Sequence, residues 1–151
     1  MSAIASPLPS SLERILQRFR RLSEPKQRYE QLLWYAKRLP EFPATEKTPE
    51  NQVPGCVSQV YITAKLEEEK IYFQGDSDSQ LVKGLVAILV EGLSGLTPAE
   101  LLSISPDFME DTGLNVNLTP SRINGFYNIF QTIKKKALLK ENSGVSSQNS
   151  A

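Results

Sequence analysis

The sequence predicts an α+β fold in which a small antiparallel sheet of two to three strands packs against helices. Apolar residues recur at helical spacing before residue 40, a period-2 run and its return lie between residues 56 and 75, and proline-marked helix starts punctuate the remainder. The order helix-helix, hairpin, helices sets helices over one face of an antiparallel sheet. At 151 residues the chain is long enough to bury a core. Residues 1–140 read as one domain, and the Ser/Asn/Gln-rich segment 141–151 reads as a disordered tail.

Leu12, Ile15, Leu16, Phe19 and Leu22 draw one apolar stripe, with Arg14, Arg18, Arg20 and Arg21 set off it and Ser10 or Ser11 placed to cap the start. Ser23-Glu24-Pro25 opens a second helix, whose stripe Tyr29, Leu32, Leu33, Ala36 and Leu39 runs until Pro40 stops it. Pro40, Pro43, Pro49 and Pro54 then make a restricted loop. From Cys56 to Lys65 the residues alternate, and Val60, Ile62 and Ala64 give one face the more apolar character, which leans Cys56 toward the core at the strand's entry. Glu67-Glu68-Glu69 makes a charged turn, and Lys70 to Gly75 returns with Ile71 and Phe73 on one face. A third short strand is available from the loop before Cys56.

Ser77-Asp78-Ser79-Gln80 has the form of a capping box, with Ser77 as the N-cap of a helix that carries Leu81, Val82, Leu85, Ile88 and Leu89 to about Gly92. This is the expected central helix. Thr97-Pro98-Ala99-Glu100 forms a second box, Ser105-Pro106 starts a stub that Gly113 terminates, and Thr119-Pro120 opens the last helix. Ile123, Phe126, Tyr127, Phe130, Ile133 and Ala137 supply its stripe.

Composition removes several functions. Seventeen Lys plus Arg balance 17 Asp plus Glu, and the pI is near 6.3, which argues against a nucleic-acid binder, since that needs a basic face to displace counterions. The helical arm is mildly basic and the body mildly acidic, too weak an asymmetry to name a partner. With no histidine there is no imidazole base, no Ser-His or Cys-His dyad and no His-ligated zinc. A single Cys makes neither a four-cysteine metal site nor an internal disulfide, so no bound metal is expected. The longest apolar run, Leu85 to Val90, is far too short to span a bilayer, and Met1 to Ser11 lacks the basic and apolar regions of a secretory leader. An unpaired thiol then suits a reducing compartment such as the cytoplasm.

The chemistry converges on Cys56. A lone cysteine is most often a small buried hydrophobe, but Pro54-Gly55 puts this one at the tip of a loop. Hydrolytic use would need an adjacent base, and peroxide reduction usually needs a resolving Cys. Sulfur exchange needs only a thiolate, access and a good leaving thiol.

Four segments carry a family resemblance. Val53-Pro54-Gly55-Cys56-Val57-Ser58-Gln59-Val60-Tyr61, Phe73-Gln74-Gly75-Asp76-Ser77-Asp78, Val82-Lys83-Gly84-Leu85 and Leu118-Thr119-Pro120-Ser121-Arg122-Ile123-Asn124-Gly125 occur in order. Together they resemble the SufE family, which accepts sulfur from cysteine desulfurases for iron-sulfur cluster assembly. The resemblance extends from about Leu12 to Ala137. It implies a fold like that of the IscU scaffold and makes Cys56 the persulfide acceptor, its loop seated in a shallow apolar pocket until a desulfurase docks. It also implies two protein partners, a cysteine desulfurase and an iron-sulfur scaffold. Pyridoxal phosphate would belong to the desulfurase, leaving this chain with no cofactor of its own.

Two positions depart from the pattern: Val57 stands where the family commonly has Gln, and Asn117 where it commonly has His. Asn117 therefore withholds any titrating role of that histidine.

Gly55, Asp78 and Arg122 complete the candidate site, in partner binding or in its architecture. Asp76, Ser77 and Asp78 also suit the start of a helix, where carboxylates are favoured. Arg122 falls in the first turn of the last helix, where a cation opposes the dipole, so a specific partner is expected: the carboxylates of Asp76 and Asp78, or a carbonyl of the Cys56 loop. Lys83 suits a solvated position, and Gly84 suits close packing at a helix start. The alternative reading is an adaptor that binds and modulates a desulfurase without accepting sulfur. Such an adaptor would tolerate replacement of Cys56.

Overall fold

Leu12, Ile15, Leu16 and Phe19 are buried along one side of α1 (Ser10–Arg20), as their spacing requires. A computed structural model describes residues 8–149. The first seven residues, most of the segment read for a leader, and the final two of the expected tail lie outside the described residues. Neither Ser10 nor Ser11 caps α1. The carbonyl of Pro9 already accepts the Glu13 N–H at 2.8 Å, which draws both serines into the first turn. In α2 (Pro25–Arg38) the side chain of Gln27 reaches back to accept the Glu24 N–H at 3.3 Å, and the helix closes at Leu39, before Pro40.

The proline loop holds two short 3₁₀ turns, Ala44–Glu46 and Pro49–Asn51. The sheet behind it has two antiparallel strands, β1 (Val60–Glu67) and β2 (Lys70–Ser77), in a register that pairs Val60 with Ser77 and Glu67 with Lys70. The expected third strand is reduced to an isolated bridge between Gln52 and Tyr61, in which the Val53 N–H donates to the Val60 carbonyl at 2.8 Å. Pro49 and Pro54 have no N–H to lengthen that ladder. A second bridge, Ile71 with Leu96, covers part of the other edge.

β1 starts four residues later than its alternation suggests. Gly55, at φ 80°, turns the chain first, so Cys56 lies in the loop and not on the strand. β2 in turn runs on to Ser77, which displaces the helix start: Ser79, not Ser77, is the N-cap of α3 (Gln80–Leu93), accepting the Val82 N–H at 3.4 Å. The hydroxyl of Ser77 accepts the Ser79 N–H at 3.2 Å.

α3 is the central helix, buried along nearly its whole length and packed against α1, α2, β2 and the last helix. Gly84 lets α2 approach: a methyl there would sit 2.5 Å from the Leu32 carbonyl oxygen. α4 (Pro98–Leu102) opens on the expected box, with the Thr97 hydroxyl accepting the Glu100 N–H at 3.2 Å and the Glu100 carboxylate accepting the Thr97 N–H at 2.9 Å. Ser105 caps a 3₁₀ segment, Pro106–Thr112, and Gly113 ends it at φ 75° before α5 (Leu114–Asn117).

Thr119 caps α6 (Pro120–Asn149), accepting the Arg122 N–H at 3.3 Å. Phe126, Ile129, Phe130, Ile133 and Ala137 are buried, and Phe108 sets its edge against Phe126 and Phe130. The helical backbone continues past Lys140 to Asn149, where the composition predicts an unstructured tail. No proline follows Pro120 to interrupt the hydrogen-bond ladder.

Candidate functional site

The loop from Gly55 to Gln59 lies where the start of β1, the end of β2 and α6 meet. Gly55 takes a left-handed conformation that other residues adopt only with strain. Its carbonyl accepts the Asn128 Nδ2–H of α6 at 3.0 Å. A methyl on Gly55 would stand 2.8 Å from that same nitrogen, so a larger residue would have to displace the Asn128 side chain as well as strain the turn.

Cys56 follows, half-buried and packed against the edge of the core. Its Sγ faces the Gly125 carbonyl of α6 at 3.8 Å, within reach of a weak S–H···O contact. Burial pushes the thiol pKa up, and no charged neighbour enters as a cause. The thiol thus stays protonated at neutral pH in this arrangement. Val57 points the other way and is 89% exposed, an apolar side chain standing in solvent beside the sulfur.

Asp78 clamps the far end of the loop. Its carboxylate accepts the Gln59 N–H at 3.0 Å, and its own N–H donates to the Gln59 carbonyl at 3.2 Å. Asp76, one position inside β2, pairs with Lys47 of the proline loop at 3.2 Å and Lys83 of α3 at 3.5 Å. Lys83 is therefore engaged in an ion pair and is not simply solvated.

Of the residues expected at the site, Gly55, Cys56 and Asp78 come together around this one loop. Arg122 does not join the carboxylates. It is half-buried on α6, and among the described residues its side chain has no ion pair and no hydrogen bond; Asp76 is taken by lysines and Asp78 by the Gln59 backbone. Asn117 is held in place by α2: its side-chain oxygen accepts from Arg28 at 2.8 Å, and the Tyr29 hydroxyl donates to its carbonyl. A neutral amide serves there as a structural acceptor. Neither the Asn128 contact nor the Asp76 lysine pairs follow from the sequence motifs. The available signal was position: Asn128 lies three residues after Gly125 and so shares its side of the helix.

The sequence matches the SufE family, described as an Fe-S metabolism associated domain, over residues 13–137. The chain belongs to the SufE family. It is 60% identical over 131 residues to an uncharacterised SufE-like protein of Synechocystis, covering 87% of this chain and 82% of that one. SufE-like protein 1 of Arabidopsis thaliana, named chloroplastic/mitochondrial, is 47% identical over 91% of this chain, which spans 37% of its length. The cysteine desulfuration protein SufE of Plasmodium falciparum is 41% identical over 74% of this chain, which spans 47% of that protein. The fold resembles the solution structure of a hypothetical protein from Thermus thermophilus, with a TM-score of 0.74 at 26% identity, covering 87% of this chain and 96% of that one. Membership places the chain among proteins of Fe-S metabolism, and the α+β architecture is the SufE-like one. No helix among the described residues is long and apolar enough to cross a membrane.

Proposed function

We propose that this SufE protein accepts sulfur from a cysteine desulfurase on Cys56 and relays it to an iron-sulfur scaffold. The observation that carries the proposal is the placement of the sole thiol. Cys56 sits at a loop tip between two tethers, beside an outward apolar residue, in a member of a family associated with Fe-S metabolism. The desulfurase partner is suggested by the Plasmodium relative, whose name is cysteine desulfuration protein.

In the reaction, the Cys56 thiolate attacks the outer sulfur of the donor's persulfide. The new S–S bond forms on Cys56, the donor's S–S bond breaks, and its cysteine leaves as the thiolate. One sulfane sulfur changes hands, with no net oxidation or reduction. This chain supplies no imidazole to take the Cys56 proton, and burial opposes its loss. Deprotonation therefore waits on docking, when the loop meets groups of the partner. Gly55 permits the turn, Asp78 anchors its exit, and Arg122, without an acidic partner of its own, is the cation offered to the desulfurase. The chain itself uses no cofactor; pyridoxal phosphate stays with the partner. Its setting is a reducing compartment, the cytoplasm in this reading.

Incubation with a cognate desulfurase and cysteine is expected to add one sulfur to the mass of peptides containing Cys56. Arg122→Ala is expected to raise the concentration needed for half-maximal stimulation while leaving the urea midpoint in place. If no adduct formed and Cys56→Ser still stimulated turnover fully, the adaptor reading would replace this one.

A further inference from the structure

The tether on the N-terminal side of Cys56 is built from two residues far apart in sequence. Asn128 donates to the Gly55 carbonyl at 3.0 Å, three residues along α6 from the Gly125 carbonyl that faces Sγ at 3.8 Å. Both contacts lie on the same side of the helix, because residues three apart are neighbours on its surface. Gly55 is itself exposed, and its left-handed conformation fixes the direction in which Cys56 leaves the turn. The bond also satisfies a loop carbonyl that belongs to no strand or helix.

We infer that Asn128 is a positioning residue for Cys56: its carboxamide holds the Gly55 carbonyl and so keeps the thiol turned onto α6. The inference rests on the sulfur-acceptor reading only for its purpose, since the tether sets the orientation of the thiol whether or not a desulfurase is present. The charged and titratable groups of the surrounding elements nearest the loop are Lys47, Tyr61, Asp76, Asp78 and Lys83 on one side and Arg122 and Tyr127 of α6 on the other. None of them enters as a cause of the raised thiol pKa, which comes from burial alone. Loosening the tether therefore acts on the thiol by exposing it.

The test is the rate and pH profile of Cys56 alkylation by iodoacetamide, in the full chain without any desulfurase. Asn128→Ala and the similarly sized, donor-free Asn128→Leu are expected to react roughly threefold to tenfold faster than the parent, the factor one net hydrogen bond supplies. The pH midpoint of the reaction should fall in both toward that of an ordinary thiol. Asn128 is half-exposed, and the urea midpoint reports whether each variant is folded. Unchanged rates in both folded variants overturn the inference. Faster alkylation at an unchanged pH midpoint overturns it too, because that pattern is general loosening. In the unmodified protein, a nuclear Overhauser contact between the Asn128 side-chain amide and the Gly55 α-protons is expected, and its absence also counts against the tether. Because no sulfur is transferred in these measurements, their failure leaves the mass-adduct experiment standing, and the reverse holds as well.

Discussion

Asp78 and Gln59 exchange hydrogen bonds in both directions: the Asp78 carboxylate accepts the Gln59 N–H at 3.0 Å, and the Asp78 N–H donates to the Gln59 carbonyl at 3.2 Å. One residue therefore joins the exit of the Cys56 loop to the approach of α3. Asp78→Ala is expected to lower the unfolding free energy by about 1 kcal/mol, the net worth of one exposed hydrogen bond. Asp78→Asn retains a carbonyl acceptor and should recover most of that loss. Urea titration checks both, and an Asp78→Ala midpoint equal to the parent's would remove the clamp from the account.

At Gly84 the backbone of α3 lies close against Leu32 of α2. An added methyl would lie 2.5 Å from the Leu32 carbonyl oxygen and 2.6 Å from its Cγ, and backbone gives way less readily than the end of a flexible side chain. Gly84→Ala should cost about 1–3 kcal/mol, as overpacking does in a filled core. Its better helix propensity does not offset that. A midpoint at or above the parent's would show that α2 shifts freely.

The hairpin turn carries strain that the sequence does not relieve. Glu68 and Glu69 connect β1 to β2 at φ 50° and 69°, the pattern of a tight turn that favours Asn-Gly. The double change Glu68→Asn, Glu69→Gly is expected to stabilise the protein by about 1 kcal/mol, since each left-handed non-glycine residue costs of this order. Thermal unfolding is the measurement, and a lower Tm would show that the two glutamates contribute something the backbone geometry does not reveal.

Burial raises the Cys56 pKa, so the folded protein holds that proton more tightly than the unfolded chain. The stability this contributes is fully present below the unfolded thiol's value, about 8.5, and is lost as pH rises through the higher folded value. Urea midpoints of the parent should therefore fall relative to those of Cys56→Ser as pH rises past the unfolded thiol's value. Parallel curves for the two proteins across that window would mean that the thiol is not desolvated.

The legible parts of the fold share one property: their signals are local. The Thr97 box, the Ser105 and Thr119 starts and the Gly113 stop stand where they were expected, because each depends on hydrogen bonds within a few residues. The alternating faces of β1 and β2 are also as expected, with Val60, Ile62, Ile71 and Phe73 buried. Ser77 and Cys56 were misplaced for a common reason. Ser77 ends β2 and Cys56 precedes β1, and how far a strand runs depends on its partner. Pairing with Val60 draws Ser77 into β2 and leaves the cap to Ser79, while the Gly55 turn withholds Cys56 from β1.

Residue type, turn chemistry and motif single out Gly55, Cys56 and Asp78, which the structure places around one loop, but the contacts of Arg122 are not readable from the sequence. Its expected carboxylates had nearer partners: Lys47 and Lys83 for Asp76, and the Gln59 N–H for Asp78. Those competitors come from separate parts of the chain, so spacing along it did not announce them.

By itself the sequence determined the class of the fold, the presence of a single thiol, the absence of an imidazole and the family to which the chain belongs. These follow from residue identity, short-range periodicity and motif order. Only the tertiary structure decided that Cys56 sits in the loop, that Asn128 of α6 holds its neighbour, and that Asp78 serves the loop instead of Arg122. The physical reason is distance along the chain: Gly55 and Asn128 are 73 residues apart, and their bond exists only because core packing seats α6 against β1.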